Sequence, residues 1–149
     1  QGGGAWSPNL SPPRGDAALA VVDPDSRKVL WTDNLSQRFP TLPANGFWTF
    51  IDRSHLAIAG EHAVFGFVDN SGETSTLLLA HYDLTSPTLP EPTVTRHPLG
   101  FSAEEFPGSA LSDLQVADGR LYALVTQGNV FTLRDPRWQA QHILAIDPL

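Results

Sequence analysis

Cysteine and methionine are both absent from the 149 residues. Without cysteine there is no disulfide, and no zinc or iron–sulfur site of the thiolate kind. Without methionine, even at position 1, the chain opening Gln1-Gly2-Gly3-Gly4 reads as a processed piece. Removal of a signal peptide, or cleavage from a longer polypeptide, would leave such a start. Basic residues are scarce: nine Lys and Arg stand against 16 Asp and Glu, a formal net charge of −7. That sign argues against nucleic acid or an anionic membrane surface, because both are held through phosphates by clustered cations. No apolar run approaches the ~20 residues of a membrane-spanning helix. The signatures GxGxxG, GxxxxGK[ST], GxSxG and HExxH are missing too, and with them the local patterns of nucleotide binding, acyl transfer and zinc proteolysis.

What is there is a series of short apolar runs punctuated by turn residues, with 41% of the chain hydrophobic, enough for one domain with a core. The stretch from His55 to His97 organises the rest. HLAIAG, AVFGFVDN, STLLLAHYDL and TVTRH read as four strands, with Glu61-His62, Asn70-Ser71-Gly72-Glu73 and a proline-rich loop between them. In the third of these, Leu77, Leu79 and His81 share one face, and Leu78, Ala80 and Tyr82 share the other. Both faces are apolar, so both should be covered. Upstream, residues 1–16 read as an extended N-terminal arm. AALAVV (17–22) and KVLWT (28–32), joined at Asp23-Pro24-Asp25-Ser26, read as a hairpin. Residues 33–46 read as a loop and FWTFI (47–51) as a short strand. Ser102 and Glu105 fit a capping box for one helical turn before Pro107. The last segment again offers four strands: SDLQVAD, RLYALVTQ, VFTLRD and QHILAI.

An apolar strand that runs into Asp and a turn recurs at ALAVVDP, LAHYDL and FTLRDP, around Asp23, Asp83 and Asp135. On these residues, and above all on AALAVVDPDSRKVLWT (17–32), the chain resembles the repeats of YVTN- and quinoprotein-type β-propellers. The resemblance implies an all-β partial propeller of about two and a half four-stranded antiparallel blades. Residues 17–32 would be a half blade, 47–97 a blade and 111–146 another, within one propeller-like domain spanning 17–149. Two and a half blades cannot close a ring, so another protein chain or further copies would have to complete it. A self-contained β-sandwich is the alternative fold.

Candidate chemistry is sparse. Of the five histidines, a zinc reading would draw on His62 and His81 with Asp83, three ligands converging from different strands. The competing reading makes His81 a packing residue among leucines. Glu104-Glu105 point apart as i, i+1 neighbours and read as helix-start residues. Asp23, Asp83 and Asp135 read as turn formers. Trp31 and Trp48 fall inside strand patterns and read as core, whereas Trp6 in the arm and Trp138 in a Pro-Arg-Trp turn are candidates for a contact surface. The expectation is a non-catalytic structural or protein-interaction module, exported to an extracytoplasmic compartment, with no cofactor. A fragment of a propeller hydrolase or quinoprotein-like oxidoreductase is the enzymatic alternative, and a carbohydrate-binding sandwich is a third.

Overall fold

The hairpin anticipated near the start is the first element of the computed structural model, which describes residues 17–42, 55–128 and 140–147. Strand β1 (Ala18–Val22) pairs antiparallel with β2 (Val29–Asn34). Asp23 builds the turn between them. Its carboxylate accepts from the Asp25 N–H (3.1 Å) and from the Ser26 hydroxyl (2.8 Å). Arg27 completes the turn in the left-handed region, φ 60°. The segment after β2 reads as loop in the sequence, but its first four residues past the strand coil into a single helical turn, α1 (Leu35–Arg38). Asn34 makes this possible by accepting the Gln37 N–H at 3.0 Å, which satisfies a donor the short helix would otherwise leave open.

Strands β3 (Leu56–Ala59), β4 (His62–Asp69), β5 (Thr74–Asp83) and β6 (Thr93–Ser102) form one antiparallel sheet in that order. β6 continues five residues past the TVTRH run, straight through Pro98. A proline is tolerated there because β6 is an edge strand, where a missing N–H breaks no ladder bond. Ser102 does cap the segment after β6, accepting the Glu105 N–H at 3.1 Å, yet the result is a tight turn and no helix forms.

The third sheet holds β7 (Ala110–Ala117), β8 (Arg120–Thr126) and β9 (Gln141–Ile146). β8 pairs directly with β9, so no strand stands between them in the sheet. VFTLRD, FWTFI and Asp135 lie outside the described residues, as does the arm of residues 1–16.

Every described strand is thus in one of three antiparallel sheets, and the class is all-β. Two separate cores hold the sheets together. On one face of the middle sheet, Ala63, Phe65, Phe67, Leu78, Ala80 and Tyr82 pack against Trp31, Leu35, Phe39 and Leu42. On the other face, Val64, Val68, Leu77 and Leu79 pack against Leu111, Leu114, Leu121, Ala123 and Val125. Leu77 and Leu79 are 0% exposed and Leu78 1%, so three successive positions of β5 are sealed on alternate sides. Each such leucine contributes roughly 1.5–3 kcal/mol by leaving water. This is the physical reason β5 reads as a continuous apolar run and does not alternate. A two-sheet sandwich would have one interior; here the middle sheet separates two.

The second and third sheets meet where β7 lies against β3 and β4. Gly66 permits it: a Cβ at that position would lie 2.9 Å from Leu79 Cδ2 and 3.1 Å from Leu111 Cδ2. The outer sheets each keep apolar side chains in water on the faces turned away from the middle one. Val22 and Leu30 are 50% and 44% exposed on the first sheet, and Ile143 is 76% exposed on the third.

Candidate functional site

Antiparallel register decides which polar side chains meet. His62 opens β4 and pairs with Asp83 at the end of β5, while His81, two residues earlier, pairs with Val64 on one side and Thr93 on the other. Alternation then puts Thr93, Thr95 and His97 of β6 on the same face. That face looks toward the third sheet. Past the end of β9 the two sheets leave a cleft of about 570 Å³, lined by His62, His81, Asp83, Glu91, Thr93, Thr95, His97, Ile146 and Asp147.

The three residues that the sequence offers as zinc ligands, His62, His81 and Asp83, therefore do line one cleft. Their geometry is not that of a metal centre: among the described residues no group of three His, Asp or Glu could hold a metal ion. The register explains why. Asp83 is committed to its own turn, accepting the Thr85 N–H at 2.9 Å and the Thr85 hydroxyl at 2.6 Å. Those two bonds, with the nearby His62, hold its carboxyl below the usual range. His81 is half-buried, and burial first, then the neighbouring His62 and His97, push its imidazole below the ordinary histidine value. His81 thus lines the cleft as a half-buried side chain. Trp6 and Trp138 lie outside the described residues.

His97, Thr93, Thr95, Glu91 and Asp147 carry no motif that singles them out in the sequence. The T-x-T-x-H alternation at 93–97 is the signal that could have found them. It becomes informative only once β6 is registered on β5, and the proline-rich loop 84–92 leaves that register open. Thr95 Oγ1 and His97 Nε2 stand 3.1 Å apart, a hydroxyl–imidazole distance seen in nucleophile–base pairs. Both belong to one strand at i, i+2, and no carboxylate orients the imidazole among the described residues. The contact is that of strand neighbours.

A second polar cluster ties the first sheet to the second. Asp33 of β2, 5% exposed, accepts from the Tyr82 hydroxyl at 2.7 Å and from Arg38 Nε. Arg38 also reaches Glu91 at 3.0 Å, while the Trp31 indole donates to the Ser86 carbonyl at 3.1 Å and stacks on Tyr82 with centroids 5.9 Å apart. Burial, reinforced by the bond to Asp33, raises the Tyr82 phenol well above its ordinary value. Glu91 thus belongs to both clusters and fixes the loop that forms one wall of the cleft.

The β4–β5 turn works in the same way. Asp69 accepts from Ser71 (2.9 Å from N, 2.6 Å from Oγ) and from the Thr41 hydroxyl (3.1 Å), and Asn70 donates to the Ser109 carbonyl at 2.9 Å. One turn therefore touches the segments on both sides of the middle sheet. No helix among the described residues is long and apolar enough to cross a membrane. Comparison with protein-family models, curated proteins and solved structures finds no match.

Proposed function

We propose that this chain is a non-catalytic interaction module, a β-propeller-like stack of sheets that completes itself on another chain or on further copies. The observation that carries the reading is the inequality among the sheets. The middle sheet is covered on both faces, whereas each outer sheet turns apolar side chains to water. A blade in a propeller is covered on both sides by its neighbours, and a stack that stops leaves two such faces. Ile143 at 76% exposure on the third sheet would be tolerated singly, but with Val22, Val29 and Leu30 exposed on the first sheet the stack carries apolar side chains in water at both ends, and these mark places for association. The lack of a catalytic signature in the sequence, and of an oriented acid–base pair among the described residues of the cleft, agrees with a binding role. An exported protein would suit a surface of this kind, and that too is part of the proposal.

The test is light scattering on size-separated protein over a range of concentrations, repeated with Leu30→Lys on the outer face of the first sheet. Association that weakens with the lysine supports the reading. A mass that stays at the 16.2 kDa of one chain, with a stable folded core, contradicts it.

A further inference from the structure

The exposed edges of the three sheets are not alike. Edge strands are open templates for pairing, and proteins blunt them with short length, bulges, prolines and charges. β1 and β2 have an irregular register between Val21 and Val22. β3 has only four residues. β6 carries Arg96 and Pro98, and β7 breaks register between Leu111 and Asp113. β9 carries none of these devices. Its six residues, QHILAI, hold no proline and no Lys, Arg, Asp or Glu, and they pair with β8 without a bulge. Among the described residues β9 pairs only with β8, so within that set its other edge is an unpaired row of main-chain donors and acceptors.

Two further features define what would fit that edge. On the outward side of β9 stand Ile143 and Ala145, so an added strand would meet apolar neighbours at alternate positions. At the end of β9 begins the cleft, lined by Asp83, Glu91 and Asp147 with His62, His81 and His97 and no Lys or Arg; Arg38 meets Glu91 at 3.0 Å, and Arg120 reaches the exposed Asp147 only at 3.6 Å. A second copy of this chain, with its net charge of −7, is poorly matched to such an end. A cationic segment is well matched.

We propose that the edge of β9 is a strand-addition site for an extended, net-basic segment of a different polypeptide. The added segment would have apolar residues outward beside Ile143 and a Lys or Arg over Asp147 at the cleft mouth. The main chain would supply affinity, and the alternate side chains and the acidic end would supply selectivity. The edge of β9 is a surface separate from the two outer faces of the stack: copies of the chain would meet through those faces, and the edge would take a different chain, so the site rests on the stack reading only for its biological sense.

The experiment uses the whole chain and an acetylated, amidated octapeptide of alternating lysine and valine, with amide hydrogen exchange read along 141–146. The peptide is expected to slow exchange there at least about tenfold. Three comparisons should each weaken binding at least about tenfold: Asp147→Lys, the same peptide with a central proline, and the glutamate–valine peptide. Asp147 is an exposed residue paired loosely with Arg120 at 3.6 Å, so the variant leaves the cores intact. No slowing, or equal slowing by the proline or glutamate peptide, would overturn the proposal. So would protection of β9 that rises with the concentration of the chain alone, since the occupant would then be a second copy. Loss of the peptide effect with association intact sinks the strand site alone. A monomer that still takes the peptide sinks the stack and leaves the site.

Discussion

Asp33→Ala is the perturbation that most directly probes how the first sheet is held to the second. Asp33 is 5% exposed and Tyr82 0%, with the hydroxyl 2.7 Å from the carboxylate. Truncation leaves that hydroxyl buried without an acceptor, at about 1–3 kcal/mol. Arg38 loses one partner but keeps Glu91 at 3.0 Å, and its side chain is 21% exposed, so its share is about 0–1 kcal/mol. The sum is about 1–4 kcal/mol. With a urea m-value of about 2 kcal/mol/M for a domain of this size, the midpoint should fall by about 0.5–2 M. Tyr82→Phe alone should cost about 1–2 kcal/mol, because Asp33 retains Arg38. The double variant should cost little more than Asp33→Ala, a coupling of at least about 1 kcal/mol. Strict additivity in urea titrations followed by far-ultraviolet circular dichroism, or a cost for Asp33→Ala below about 0.5 kcal/mol, would refute the claim that this cluster fastens the sheets.

Gly66→Val should destabilise by about 1–3 kcal/mol, since its side chain would enter space held by Leu79 and Leu111; a thermal midpoint equal to the parent's would show that the sheets are not in close contact there. His81 has its pKa held below the unfolded value, so the unfolded chain takes up the proton first. Its contribution to stability is full above about pH 6.5 and is lost as pH falls through the depressed folded value. Urea midpoints between about pH 7 and 5 should therefore drop in the parent and drop less in His81→Gln. For Asp69, burial raises the pKa, but the bonds from Ser71 and Thr41 and the charge of Arg96 outweigh it, and the net shift is downward. Its contribution is present above about pH 3.9 and is lost as pH falls through the lowered value, so Asp69→Asn should flatten the acid limb of the stability profile below that pH.

The strands were legible where burial dictates residue type. β5 betrays its double coverage in STLLLAHYDL, because a sheet face that met water would have forced polar residues at alternate positions. The β1–β2 turn was legible for a different reason: Asp23 and Ser26 carry the turn bonds in their own side chains. α1 was not, since a four-residue helix is set by one cap, Asn34, and by packing of Leu35 at 2% exposure against a sheet far along the chain. The end of β6 was hidden by Pro98, which reads as a stop and which an edge strand accepts. Of the cleft, His62, His81 and Asp83 could be grouped because β4 and β5 are joined by a short turn. Asp147 could not, because its place depends on how the third sheet lies on the second, a relation fixed by Gly66 and Leu111 and by no local pattern. A detail of the same kind bears on the zinc candidates: the Asp83 carboxylate accepts from Thr85 in its own turn, which no spacing in the sequence announces.

The central claim is that the stack of sheets is unfinished, and sedimentation equilibrium of the purified chain across a wide range of concentration tests it most directly. An unfinished stack predicts a weight-average mass that rises above 16.2 kDa with concentration and returns toward it when Leu30 is replaced by lysine. A mass fixed at one chain throughout, in a protein that unfolds in a single sharp transition, would contradict it.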